Sequence, residues 1–157
     1  MADKAVSNIS ASILHDEIKT AIGGDLNYEP ADSDDKWVFD DLVINNTSSD
    51  LLPVRDFLGK SEQTHTSDKV RWLCLKNLSS KATDGICICL DGATAAYNLG
   101  TGIYIGAGEI VTIKAPNTTL ANLHAVSVTM DGTYGYPLTS HTGSVSAQVA
   151  AIIEDVA

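Results

Sequence analysis

From Trp37 onward the apolar residues of this chain recur at alternate positions, in short runs punctuated by glycine, asparagine and aspartate. Residues 69–78 (KVRWLCLKNL), 85–91, 103–106, 110–115, 124–130 (HAVSVTM) and 144–155 (SVSAQVAAIIED) are such runs. Turn signals lie between them: Asn77 to Lys81, Asp91-Gly92, Gly106-Ala107-Gly108-Glu109, Pro116-Asn117 and Asp131-Gly132. A period of two places successive side chains on opposite faces, which is the signature of half-buried strands. Short strands with turn glycines between them predict an all-β sandwich or barrel rather than alternating β and α units. Residues 119–123 fit one helical turn. Upstream, residues 37–44 (WVFDDLVI) read as a strand interrupted by two aspartates. Residues 51–58 read as a short strand or a helical turn, with Pro53 against a central strand position.

Before Trp37 the pattern changes. Residues 7–22 place Ile9, Ile13, Leu14, Ile18, Ala21 and Ile22 at helical spacing, with Gly23-Gly24 as a stop and Asn8 or Ser10 as a cap. The spacing predicts a helix, while the Ser, Thr and Ile content also fits an extended arm. The stripe Ile9, Ile13, Leu14, Ile18 and Ile22 is a candidate interface. A helix of this length is marginal alone in water, so the stripe must pack on its own sandwich, on a neighbouring copy or on a partner. Residues 25–36 (DLNYEPADSDDK), polar and broken by Pro30, read as an acidic loop. The expected division is therefore an arm and linker over residues 1–35 and a β-sandwich domain over residues 36–157.

With 20 acidic and 10 basic residues the formal charge is −10. Such a chain lacks the basic stripe of a nucleic-acid binder and is repelled by anionic membranes. No run of 18 apolar residues suggests a membrane span. Charge is uneven: residues 1–62 carry 13 acidic and 5 basic groups, residues 63–157 carry 7 and 5. The carboxylates between Asp25 and Asp41 invite a calcium reading, but residues 32–37 lack the glycine and distal glutamate of an EF-hand loop.

Catalytic chemistry finds no foothold in the motifs. His15, His65, His124 and His141 are scattered, and there is no His-Glu-x-x-His, Gly-x-Ser-x-Gly or phosphate-cradling glycine loop. Cys74, Cys87 and Cys89 are an odd number, and the first seven residues do not resemble a secretory signal, so no disulfide framework is expected. Cys87 and Cys89 share one face of a strand and read as small buried hydrophobes rather than zinc ligands. No cofactor or metal is expected. Asn45, Asn46, Asn77 and Asn117 open glycosylation-type triplets that read as turns. Glu109, at the mouth of a strand, either accepts loop amides or stays solvated. Tyr134 and Tyr136, in the Tyr-Gly-Tyr-Pro segment, are the other candidate interface residues, as an exposed contact loop or as aromatics closing the sandwich end.

From Lys69 onward the chain resembles small virion structural proteins of tailed bacteriophages. The residues that carry the resemblance are Val70 to Leu78 (basic–apolar, ending Lys-Asn-Leu), Cys89-Leu90-Asp91-Gly92, Ile105 to Glu109 (Ile-Gly-x-Gly-Glu) and Leu123-His124-Ala125 before the long last strand. The resemblance implies an antiparallel, jelly-roll-like β-sandwich in a non-enzymatic virion protein. The implied role is capsid decoration or cement, binding the major capsid protein or other virion proteins as a dimer or trimer. Its implied place is the capsid surface after synthesis in the host cytoplasm. A tail, collar or fibre protein is the alternative within that class, and a carbohydrate-binding β-sandwich module the alternative outside it.

Overall fold

The computed structural model describes residues 4–15, 18–30, 36–47, 49–52, 65–91, 102–115, 117–130 and 138–156. Its elements in chain order are β1 (Ala5–His15), β2 (Ile18–Tyr28), β3 (Lys36–Ile44), β4 (Ser49–Asp50), β5 (Lys69–Asn77), β6 (Asp84–Cys89), β7 (Ile103–Ile105), β8 (Ile110–Ile113), a 3-10 turn (Leu120–Asn122), β9 (His124–Met130), β10 (Leu138–Ser140) and β11 (Val145–Glu154). The fold is all-β and its strands pair antiparallel, as the two-residue period predicts.

Two sheets form the body. One has the order β3-β11-β5-β8; the other runs β10-β9-β6-β7, with β4 also pairing β9. Setting aside the N-terminal strands and β10, the order is first-eighth-third-sixth over second-seventh-fourth-fifth, which is jelly-roll topology. Alternate residues of both sheets meet in the middle: Val145, Ala147, Val149, Ala151 and Ile153 of β11 face Ile86 and Ile88 of β6 and Ile105 of β7 within one buried cluster. Each fully buried aliphatic side chain there contributes roughly 1.5–3 kcal/mol relative to exposure.

One phase change in this alternation matters. Inward positions of β5 are Val70 and then Leu73, Leu75 and Asn77, so an extra residue must be accommodated. It is taken up at a β-bulge, where Ile152 pairs with Trp72 and Ile153 with Val70, leaving Arg71 over. Arg71 forms an ion pair with Glu154.

Buried polar groups tie the layers together. Asn77 is fully buried at the end of β5. Its Nδ2 donates to the carbonyls of Asp84 (3.0 Å) and Ile105 (3.3 Å), and its Oδ1 accepts the Ser79 N–H (2.9 Å). One amide thereby clamps a strand of one sheet to two strands of the other. Asp68, also fully buried, accepts the His65 N–H at 2.8 Å, while its own carbonyl accepts the Leu120 N–H at 2.9 Å.

The N-terminal helix expected over residues 7–22 does not form. β1 and β2 pair as an antiparallel hairpin, with Ala5 opposite Tyr28, Ile9 opposite Gly24 and His15 opposite Ile18. Isoleucine and threonine lose rotamer freedom in a helix, and serine and asparagine side chains compete there for backbone groups. The same β-branched residues fit a pleated surface. The glycine pair read as a helix stop lies inside β2, and Asp25 to Tyr28, expected as loop, belong to that strand. Strand β3 runs unbroken through Asp40 and Asp41. Over residues 51–58, Leu51 and Leu52 are buried core residues following β4, and the rest lie outside the described residues. β10 has no counterpart in the sequence reading.

Candidate interaction surface

The hairpin forms a separate two-stranded sheet beside the outer face of the β3-β11-β5-β8 sheet. Its base is seated: Ala5, with Leu26 and Tyr28 beside it, packs on Trp72 and Ile152. Trp72 is buried under the hairpin and outside the sandwich interior. Beyond this base the hairpin emerges into solvent, with Ile9 48% and Ile22 63% exposed. The register sets the Ile9–Gly24, Ala11–Ile22, Ile13–Thr20 and His15–Ile18 pairs in phase, and Leu14 out of phase with them. Four of the five stripe residues thus occupy equivalent cross-strand positions.

Two grooves flank β1. One of about 690 Å³ lies between residues 6–10 and Trp72, Cys74, Ile110 and Thr112. The other, of about 370 Å³, lies between Ala5 and Val6 on one side and Trp37, Phe39, Trp72 and Ala150 on the other. Trp72 Nε1 is buried and has no hydrogen-bond partner among the described residues.

The second wall of the smaller groove is β3, whose only strand partner among the described residues is β11. Val38 and Ile44 point into the core, while Trp37 (41% exposed), Phe39 (65%) and Val43 (64%) point outward with exposed Asp41 among them. Asp41 Oδ1 accepts Gln148 Nε2 at 3.0 Å. An outer sheet face is ordinarily polar; here it is aromatic and aliphatic. The period-two signal made β3 legible, but that it is an edge strand follows from strand order, which the sequence does not display.

A polar cluster sits at one end of the sandwich. Asp84 accepts Ser79 Oγ (2.9 Å) and His141 Nε2 (3.2 Å) and lies 3.4 Å from Lys81 Nζ. Burial works to raise the Asp84 pKa, but the hydrogen bonds from Ser79, His141 and Lys81 and the lysine charge outweigh it and hold the carboxyl below its ordinary value. His141 Nδ1 accepts the Gly143 N–H at 3.0 Å, so Nε2 carries the proton given to Asp84. Serine, histidine and aspartate meet here, yet the serine hydroxyl donates to the aspartate and both imidazole nitrogens are engaged. The arrangement is that of a structural tie; a nucleophile and its base would face each other.

On the outer face of the second sheet Cys87 is buried with Val126 and Val128 against Tyr104, opposite in phase to the core residues Ile86 and Ile88. None of the three cysteines, Cys87 buried and Cys74 and Cys89 half-buried, is in a disulfide, and no group of three or more metal-ligating side chains converges among the described residues. Burial, with the Glu109 charge nearby, pushes the Tyr104 phenol up. Glu109 accepts the Gly106 N–H at 2.7 Å, closing its turn, in which Gly108 takes φ +75°. Asn77, buried and fully bonded, cannot serve as a glycosylation acceptor. Tyr134 and Tyr136, with Asp32, Asp34 and Asp35 of the acidic loop, lie outside the described residues; so do the side chains of Ile13, Leu14 and Ile18. No helix among the described residues is long and apolar enough to cross a membrane. Comparison with family models, with curated proteins and with solved structures finds no match for the chain.

Proposed function

We propose that this protein is a non-enzymatic structural component of a bacteriophage virion, a decoration or cement protein that binds and stabilises the head shell. The observation that carries the reading is the hairpin, seated at its base on the sandwich and presenting uncovered isoleucines beyond it. Isolated apolar side chains on a surface are ordinary; exposed Val6 of the hairpin, across a groove from exposed Trp37 and Phe39 of β3, makes the kind of patch that contacts a partner. The jelly roll supplies a rigid platform, and it serves viral capsid and lectin domains alike, so the fold supports the role without assigning it. Binding only to the assembled shell would stabilise that shell by mass action, and two or three linked copies would add avidity.

The deciding test locates the protein in an electron-microscopy map of the particle and measures co-sedimentation with purified heads. The reading expects density on the outer shell, and binding lost in the double variant Ile9→Ser, Ile22→Ser while the variant melts as the parent does. Density in the tail or fibres favours the tail-associated alternative. Absence from the particle defeats both.

A further inference from the structure

We propose that the groove between β1 and β3 binds a proline-rich segment of another protein, one carrying an arginine beside its prolines. The groove, of about 370 Å³, is lined by aliphatic and aromatic side chains alone, Trp37, Phe39 and Trp72 among them. That lining contains no side-chain hydrogen-bond acceptor. An ordinary peptide laid along it would bury backbone N–H groups against apolar side chains, whereas a run of prolines has none to bury. The one polar side-chain group among the lining residues is a donor: the Trp72 indole N–H, buried and without a hydrogen-bond partner among the described residues. A proline segment offers carbonyl acceptors only, so its chemistry matches this lining. Such segments hold a polyproline II helix before they bind, and they dock in aromatic-lined grooves with little loss of conformational freedom.

Charge sets the flank. Asp41 is exposed and shares the outward face of β3 with Phe39, roughly 7 Å further along the strand. It accepts Gln148 Nε2, a neutral donor that leaves the carboxylate charge in place. No basic side chain lines the groove, and by register Lys76 stands two strands from Asp41, beyond Gln148. A polyproline II helix advances about 3.1 Å per residue, so an arginine two residues beyond a proline held at Phe39 arrives over Asp41. None of this chain's own prolines, Pro30, Pro53, Pro116 and Pro137, adjoins another, so a proline run must come from a different protein. The source of the segment rests on the adhesive role proposed above: a shell protein presenting it would be held through this groove. The test below uses no particles, so the two readings fail separately.

The probes are the acetylated, amidated hexapeptide Pro-Pro-Pro-Pro-Ala-Arg and its reverse, since a proline helix can enter a groove from either end. Both tryptophans of the chain line the groove, so tryptophan fluorescence of the full-length protein reports occupancy, with calorimetry as a second readout. One of the two peptides is expected to bind with a Kd of about 1 mM or lower. Asp41→Asn should weaken that binding roughly threefold and Phe39→Ser roughly fivefold or more. Both positions are exposed, so both variants should melt as the parent does. The same peptide with glycine in place of every proline keeps the charge, loses the preformed helix and regains its N–H groups; it should bind roughly tenfold more weakly. Equal binding of the glycine peptide, or binding indifferent to either substitution, would reduce the effect to general attraction by an acidic protein and overturn the proposal. A Kd above about 1 mM for both proline peptides would overturn it as well.

Discussion

Replacing Asn77 with alanine probes a side chain that joins the two sheets by hydrogen bonds. Its three hydrogen bonds reach the Asp84 and Ile105 carbonyls and the Ser79 N–H, all from a fully buried position. A buried hydrogen bond contributes about 1 kcal/mol net, and stranding its partners adds their desolvation, so the loss should be about 2–4 kcal/mol. For a chain of 157 residues, that corresponds to a fall in Tm of roughly 5–15 °C. Circular dichroism melts and urea titrations at neutral pH read this directly, with the urea slope unchanged if only stability has moved. Asn77→Asp sharpens the test: it turns the donor end towards two carbonyls as an acceptor, so it should cost more than alanine and recover partly in acid, where the protonated carboxyl can donate once. A Tm drop under about 2 °C for alanine, or an aspartate variant no worse than alanine, would refute the clamp.

Two further perturbations follow from the described contacts. Because the Asp84 carboxyl is held below its ordinary value, the unfolded chain takes up that proton first as pH falls; Asp84 stabilises the fold above about pH 4 and loses that contribution as pH falls through its folded-state value. The stability gap between the parent and Asp84→Asn should therefore narrow below about pH 4 in urea titrations, and a gap constant into strong acid would contradict the assignment. A Cβ on Gly102 would stand 2.3 Å from Cys87 Sγ and 2.8 Å from the Ile88 carbonyl oxygen. Since the backbone oxygen cannot yield without disturbing β6, Gly102→Ala should cost about 1–3 kcal/mol, and an unchanged urea midpoint would show that the contact relaxes freely.

How much of this was legible depended on whether a residue's partners lie near it in sequence. The strands from Lys69 onward, β10 apart, were readable because alternation and turn chemistry are local: Asn77 opens its turn by accepting the Ser79 N–H, and Gly108 supplies the positive φ. The hairpin was misread for a geometric reason. Residues four apart share a face in a helix and in a strand alike, so Ile9 with Ile13, and Ile18 with Ile22, satisfy both periods. Only the β-branched and serine-rich composition spoke for strands. The exposed row Trp37, Phe39 and Val43 was visible as a strand face but not as an edge face, because its neighbour β11 lies at the far end of the chain. Asn77's amide, clamping β6 and β7, was hidden in the same way.

The position of β11 also sets the timing of folding. It lies between β3 and β5, pairing Lys36 with Ile153 on one side and Leu75 with Val149 on the other. β3 and β5 therefore do not bond each other, and their shared sheet waits for a segment translated long after both. The local hairpin β1–β2 can close as soon as it is made, whereas the sandwich must wait, and non-local pairing of this kind is slow. During that wait the apolar edges of β3 and β5 stand open on the nascent chain, which makes the interval before β11 is translated the period of greatest exposure to mispairing and to chaperone capture.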